Sequence, residues 1–504
     1  MMAAAQVDVA IVGGGPVGVA LANLLGRRGV SVAVFERDAA IYPLPRAIHF
    51  DGEVMRVFET MGLRAEVEAI SRPGLQGMHF VNAEGRTLLI RGGTAAQGPH
   101  GCASNHYFHQ PELEAVLRAG LARCPSVDLR LRHEVVAVDE SGDGGAALQV
   151  RDLDRGDARR WRARWVVGCD GARSLLRKRI GTAVDDLGLH QPWLVFDVLL
   201  HADVPGLPDH TVQHCDPARP MTYCHVTGQR RRWEIMLMPG DDPAELVQPD
   251  RIWPLVARWL QPGQATIERA VIYTFHSVIA QRWRDGPLLL AGDAAHQTPP
   301  FLGQGLCAGI RDAANLAWKL DAVRRGRADA SLLDTYGSER APHVRAFIDL
   351  AVQLGAVIQA TDAEAARARD ARFLSDGEPE TFSFPAPMLG AGVWHGEGAP
   401  VAQVFPQPRL DDGRLLDAVV GDGWALIARP ALLAALPAAV QAWCAWQGVV
   451  PVPAGDAALQ AWLETHRTAA VLVRPDRYVA GLAADAAGLA QLVQSLAGLT
   501  TPMP

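Results

Sequence analysis

Lysine is nearly absent from this sequence. Lys178 and Lys319 are the only two, so 46 of the 48 basic residues are arginine. Beside so much alanine, this reads as GC-rich codon usage and not as a selected basic face. The formal net charge of −7 excludes a broad nucleic-acid footprint. Cysteine is also scarce. The seven are scattered, odd in number and without a CxxC pair, which argues against a disulfide framework or a zinc site. No uninterrupted apolar run reaches the roughly 18 residues a membrane span needs. The N-terminal stretch "MMAAAQVDVAIVGGGPVG" lacks a basic n-region and is broken by glycine, so it reads as a first strand and not as a signal peptide. A cytoplasmic protein is expected.

What is present is enough for a large buried core. The chain has 504 residues, 49% apolar and 20% charged, which favours two or three globular domains. Residues 7–12 form a short apolar run. Residues 16–29 follow with apolar spacing of helical period and Gly29 as the stop, and 30–37 form a second strand ending in an acid. Together they make a βαβ unit. Residues 111–124 read as a helix opened by Pro111, and 127–138, 146–152 and 164–174 as strands, the last running into a turn. From 182 to 275, short apolar runs are separated by Pro, Gly and His, which predicts an antiparallel sheet. A buried strand returns at 282–292, with helices at 303–326 and 331–359. Residues 360–400 form a connector, and a further α/β unit occupies about 400–504.

Three motifs carry chemistry. Gly13-Gly14-Gly15-Pro16-Val17-Gly18 fits GxGxxG between a strand and a helix. Glycine lets the backbone approach a pyrophosphate, and the helix N-terminus supplies N–H groups and partial positive charge. Glu36 lies 18 residues beyond Gly18, where a carboxylate accepts hydrogen bonds from a ribose diol. Asp170-Gly171 marks a turn with Arg173 close behind. Gly292-Asp293-Ala294-Ala295-His296, then Pro299, separates a strand from a long helix. A nicotinamide dehydrogenase needs neither of the last two.

In this order the motifs resemble those of the flavoprotein aromatic hydroxylases, single-component FAD-dependent monooxygenases. The residues "YTFHSVIAQRWRDGPLLLAGDAAHQTPPFLGQGLCAGIRDAANLAWKL", "YPLPRAIHFDGEVMRVFETMG" and "YFHQPELEAVL" are most similar to the 3-(3-hydroxyphenyl)propionate hydroxylase subgroup. The resemblance covers residues 1–390 strongly and the tail more weakly. It implies an α/β protein: a Rossmann-like FAD-binding domain (1–181 and 276–395), an inserted antiparallel-sheet substrate domain (182–275), and a thioredoxin-like C-terminal domain (396–504). The last lacks CxxC and is therefore structural or oligomeric.

The resemblance also implies a cycle. NADH or NADPH, bound transiently, reduces FAD. O2 adds to give a C4a-hydroperoxyflavin, and a phenolic substrate is hydroxylated. A homodimer is implied as well. Asp293 would hold the ribityl chain, with Gly292 and Pro299 shaping the turn. Gly303, Gly305, Leu306 and Cys307 would line the flavin, with the helix N-terminus on its N1–C2=O edge. Arg37, Arg46 and Gln110 would reach the adenosine, pyrophosphate and ribityl regions, and Asp170 would support the phosphate region. His296 reads as structural. In the sheet, the alternation in "YCHV" places Tyr223 and His225 on one face as the catalytic candidates, with His214, Met236 and Met238 nearby. His49-Phe50 and Leu306 depart from the subgroup and are expected at the pocket, which leaves a larger phenol, a polyketide-like aromatic or a heteroaromatic open as substrate beside a 3-(3-hydroxyphenyl)propionate-like one. A Baeyer–Villiger or epoxidising monooxygenase of the same fold, or a non-catalytic flavin redox sensor, is the competing reading. A flavin halogenase lacks its Trp-x-Trp-x-Ile-Pro stretch here.

Overall fold

The structure is a computed structural model describing residues 5–497 except 94, 143, 376, 378 and 383–385. Residues 1–4 and 498–504 of the expected first and last units lie outside the described residues. Strand β1 (Ala5–Val12), helix α1 (Pro16–Arg27) and strand β2 (Val32–Phe35) form the expected βαβ unit, with Val9 opposite Val32 and Val12 opposite Phe35. All four residues of β2 are buried, because helices and strands cover both faces of a parallel sheet. Gly29 ends the helix in the left-handed region, at φ +71.

On its other side β1 pairs in parallel with Ala158–Gly168, which pairs in parallel with Leu288–Leu290. This register matters most for function. The strands that precede the GxGxxG, Asp-Gly and Gly-Asp motifs are direct neighbours pointing the same way. Their carboxyl ends open onto one crevice, where open α/β sheets bind ligands. The expected strand 127–138 is two strands. Val127–Arg130 joins β2, and His133–Glu140 turns away at Arg132 to pair with Ala146–Asp152.

Among the described residues a nine-stranded sheet forms the roof. Val184–Leu200, Thr211–His214, Met221–His225, Arg230–Met236 and Ala265–Ala280 fall close to the expected 182–275 and pair antiparallel with one another. The sheet extends further than expected. Thr211–His214 pairs in parallel with Met78–Val81, which continues to Thr87–Arg91 and Glu380–Phe382. Without them Thr211–His214 would be an open edge, and open edges are normally paired or covered.

In the C-terminal domain the strand order is Val450–Pro453, Ala425–Ala428, Ala470–Val473, Val479–Ala483, with the first pair parallel and the rest antiparallel. Helices Ala438–Gln447, Ala457–Thr465 and Ala486–Ala497 accompany this sheet, giving the expected thioredoxin-like arrangement. The segment Ala330–Ile358 is long and apolar enough to cross a membrane by length and composition. Within it Glu339, Arg340 and His343 are buried and hydrogen-bonded to protein partners.

One of the two lysines proves structurally demanding. Lys319 is fully buried, with its Nζ 2.7 Å from Glu339 Oε2, and Arg474 of the C-terminal domain donates to both oxygens of the same carboxylate. Burial alone would raise the Glu339 pKa; Arg474 and Lys319 override it and hold it down to about 2. The folded pKa thus lies below the ordinary 4.5. This contribution to stability is complete above pH 4.5 and is lost as the pH falls toward 2. Thermal unfolding followed from neutral into acid pH is expected to show Tm falling through this window, with a shallower fall in Glu339→Gln. Parallel slopes in the two proteins would contradict the assignment.

Candidate active site

The crevice at the strand ends holds a cavity of about 400 Å³, within the range of small-molecule sites. Two helices begin there. α1 starts behind Gly15, and the helix Gly305–Arg324 starts behind Gln304; neither N-terminus has a side-chain cap. Their first N–H groups are therefore available to an anion, and the helix dipoles reinforce the attraction. Gly15, Pro16, Val17, Arg46, Gln110, Asp293, Gly303, Gly305 and Leu306 border the cavity. A Cβ on Gly15 or Gly305 would meet no atom within 4 Å. These residues form a cradle open toward a bound molecule.

The other motif residues shape this cradle from behind. Gly13 has φ +103, and a Cβ there would strike the Cys169 carbonyl. A Cβ on Gly18 would strike Gly13 O. Glu36 Oε2 accepts from Gly14 N at 2.7 Å, which puts its carboxylate beside the phosphate loop; Arg37 is exposed just after it. Asp170 caps the short helix Leu175–Ile180, accepting from Leu175 N at 2.6 Å. Arg177 of that helix donates to Ala294 O at 2.8 Å, which ties the Asp-Gly turn to the Gly-Asp turn. Pro299 is buried behind the cavity, and Pro300 borders it. Cys307 points inward, its thiol 3.6 Å from Gly303 O and pushed well up by burial.

Asp293 opens its side chain into the cavity, and burial in the surrounding protein raises its pKa. Behind it, Asp312 accepts from Gly292 N at 3.1 Å, from His296 Nε2 at 2.7 Å and from Arg340 Nε at 2.9 Å. His296 thus holds the Gly-Asp loop in place. Gln110 Oε1 accepts from the backbone N–H groups of Arg46 and Ala47, so it positions the Arg46 loop as well as bordering the cavity. His49 also borders it, with Nε2 3.0 Å from Asn105 Oδ1 and Nδ1 3.3 Å from Gly303 O. Burial and Arg91 hold its pKa down to about 4, so it is neutral at physiological pH. Phe50 points the other way, stacked on His106.

The sheet roof departs from expectation at the catalytic candidates. Tyr223 and His225 do share a face, but it is the face away from the cavity. Tyr223 packs on Trp233 and donates to Pro208 O; His225 lies beside Gly228 O and Asp209. His214, Met236 and Met238 are not among the residues bordering the cavity either. Their neighbours Thr222 and Cys224 border it, together with Val195, Thr211, Gln213, Arg232, Glu234, Arg269 and Tyr273. Cross-strand register makes this one surface: Gln213 is opposite Thr222, Thr222 opposite Glu234, and Glu234 opposite Val195. The signal in the sequence was polar residues recurring at every second position of otherwise apolar strands.

A buried charge cluster anchors this surface. Arg232 donates to Asp197 at 2.7 Å, to Arg46 O at 2.7 Å and to Pro45 O at 2.8 Å, and Arg269 donates to Pro45 O as well. The roof therefore grips the backbone of the loop that carries Arg46 into the cavity. Taken together, an uncapped helix start at a GxGxxG turn, a carboxylate at each end and a second uncapped helix start suit a dinucleotide bearing a pyrophosphate, a polyol and a ring that accumulates negative charge. The residues present fit FAD.

The comparisons with known proteins agree. A family described as "FAD binding domain" matches residues 6–351, and one described as "HcaD C-terminal domain" matches residues 402–499. The chain is 39% identical, over 99% of its length and 96% of the relative's, to the "Probable NADH-specific resorcinol 4-hydroxylase" of Rhodococcus jostii (strain RHA1). It is 36% identical, over 94% of its length and 89% of the relative's, to a 3-(3-hydroxy-phenyl)propionate/3-hydroxycinnamic acid hydroxylase of Mycobacterium sp. (strain JLS). In fold it is similar to the flavin-dependent monooxygenase PieE, with a TM-score of 0.83 at 22% identity over 98% of this chain and 99% of that one. Aklavinone-11 hydroxylase gives a TM-score of 0.82 at 24% identity over the same shares. With its cofactor cradle, strand order and near-full-length kinship in agreement, the chain belongs to the FAD-dependent aromatic hydroxylases.

Proposed function

We propose that this enzyme hydroxylates a small single-ring phenol, of the resorcinol or 3-hydroxyphenylpropionate class, with NADH as electron donor. The observation that carries the reading is the polar roof facing the uncapped helix tip across one cavity of about 400 Å³. The single-ring class is taken from the relatives named for resorcinol and for 3-(3-hydroxy-phenyl)propionate. Bound FAD supplies the hydride acceptor and the activation of O2. The chain orients the phenol, excludes water and handles its proton.

Tyr107 and Thr211 share a hydrogen bond of 2.7 Å, and Thr222 donates to Gln213 at 2.5 Å, so the roof offers fixed donors and acceptors to a ring hydroxyl. Arg91 borders the same space and suits a carboxylate substituent. Glu234 accepts the phenol proton. It is the carboxylate of the roof surface, cross-strand to Thr222, and burial raises its pKa above the ordinary 4.5. A phenol approaching deprotonation is the better nucleophile, and a positioned base contributes about a hundredfold or more. The ionised carboxylate is the active form, so kcat/KM falls on the acid side at a pH above the ordinary glutamate value. Glu234→Gln is expected to lose this limb and about a hundredfold in kcat, with basal NADH oxidation retained. An unaltered acid limb would refute the role.

The seven cysteines are all free, which supports a reducing, cytoplasmic setting. The reading is tested by NADH and NADPH oxidation by the FAD-loaded protein, with resorcinol, 3-(3-hydroxyphenyl)propionate and polycyclic phenols. Many-fold stimulation of NADH oxidation by a single-ring phenol supports it. Stimulation only by polycyclic phenols, or none, refutes it.

A further inference from the structure

The helix Gly305–Arg324 carries an unusual stripe. Arg311, Asn315 and Lys319 recur every four residues on one face, and all three are buried. Buried polar groups are costly unless partnered. Here the partners lead to one short segment of the C-terminal domain, Arg474–Tyr478. Asn315 Nδ2 donates to Asp476 Oδ2 at 2.9 Å and to Glu339 Oε2 at 2.8 Å. Lys319 donates to the same Glu339 carboxylate as Arg474. Arg311 Nε donates to Glu53 Oε2 at 2.6 Å, and Tyr478 donates its hydroxyl to Glu53 Oε1 at 2.9 Å.

From Arg311 the chain of contacts reaches the cavity. Its Nη1 donates to Gln304 Oε1 at 3.0 Å and its Nη2 to Asp51 Oδ2 at 2.5 Å; Gln304 Nε2 closes the triangle on Asp51 at 3.1 Å. Gln304 is the N-cap of the helix, and the adjoining Gly303, Gly305 and Leu306 border the cavity. An unbroken path of hydrogen bonds thus runs Tyr478–Glu53–Arg311–Gln304.

We propose that the C-terminal domain, which has no redox-active cysteine pair, positions the flavin-facing tip of this helix through Tyr478, so that occupancy of the FAD site and ordering of the segment Arg474–Tyr478 are energetically coupled. The interface has apolar cement as well, such as Trp318 edge-on to Trp424 with ring centroids 5.6 Å apart. Buried ionic contacts add little net stability but specify one geometry, which is what a positioning element needs. Tyr478 is a positioning residue: it touches Glu53 and His343, not the cavity. Coupling of this kind is reciprocal.

The test uses the full chain in apo and FAD-loaded forms. Hydrogen exchange of peptides spanning 474–478 is expected to slow on FAD loading. Tyr478→Phe is expected to weaken FAD affinity about threefold to tenfold and to shift the bound-flavin absorption bands. Gln447→Ala serves as control, because Gln447 donates to Arg327 O at the same interface, off this path. It should leave affinity and spectrum as in the parent. Exchange at 474–478 that is indifferent to FAD, parental affinity and spectrum in Tyr478→Phe, or equal losses in both variants would each overturn the proposal. The proposal rests on FAD binding and not on the identity of the phenol, so failure of the phenol assignment leaves it standing.

Discussion

Gly15→Ala is expected to fold and melt like the parent as apoprotein while losing about ten- to a hundredfold in FAD affinity, some 1.4–2.7 kcal/mol. Gly15 has φ −76, a backbone conformation alanine adopts freely, and its Cβ would meet no protein atom within 4 Å. The space is empty because it lies in front of the α1 N-terminus. A methyl group there costs the protein nothing and keeps a pyrophosphate from the N–H groups it needs. Gly13→Ala makes the contrast. At φ +103, with its Cβ against the Cys169 carbonyl, it strains the β1–α1 turn itself. The two neighbouring glycines therefore separate by readout: one reports on ligand, the other on folding. Fluorescence titration of FAD into apo Gly15→Ala, beside its melting curve, checks this. Parental affinity would mean that the pyrophosphate does not approach at Gly15.

Arg232→Met is expected to destabilise the protein by about 3–5 kcal/mol, despite similar side-chain volume. Arg232 and Asp197 are both buried, and the arginine is the partner at hydrogen-bonding distance from Asp197, at 2.7 Å. Removing it takes the hydrogen-bonded counter-charge from a buried carboxylate and leaves Arg269, 3.7 Å away, the costly way to break a buried pair. The same substitution releases the Arg46 carbonyl and leaves the Pro45 carbonyl to Arg269 alone. FAD affinity should therefore fall along with stability. Arg232→Lys should not rescue it, because a single ammonium cannot reproduce the guanidinium fork that reaches Asp197, Pro45 and Arg46 together. Urea unfolding and FAD titration of both variants decide the point. A lysine variant with parental stability would refute the clamp.

The parts of the site that were legible in the sequence are the local ones. A glycine turn between strand and helix, an acid at the next strand end and a Gly-Asp turn before a helix carry their geometry in a few adjacent residues. What needed the fold was the phase of the roof. Period-two alternation shows that Tyr223 and His225 share a face, but every residue of Met221–Cys224 is buried, so hydropathy does not say which face meets the ligand. Tyr223 faces a second core around Trp233 and Ile252, and Thr222 and Cys224 face the cavity. The stripe Arg311, Asn315, Lys319 was hidden for a related reason. In sequence it is the solvent face of an amphipathic helix; in the fold a domain more than 150 residues away covers it. The strands at 78–91 were also missed, because four or five residues of mixed polarity become a strand only by pairing with Thr211–His214.

The central claim is that the cofactor cradle and the polar roof together insert one oxygen atom from O2 into a phenol. The direct measurement is mass spectrometry of the product formed by the FAD-loaded enzyme with NADH and resorcinol under heavy-isotope O2. The account predicts one hydroxyl added to the ring, carrying one heavy oxygen atom, in step with NADH consumed. NADH consumption that ends only in H2O2 for every phenol tried, or a product oxygen drawn from water, would contradict it.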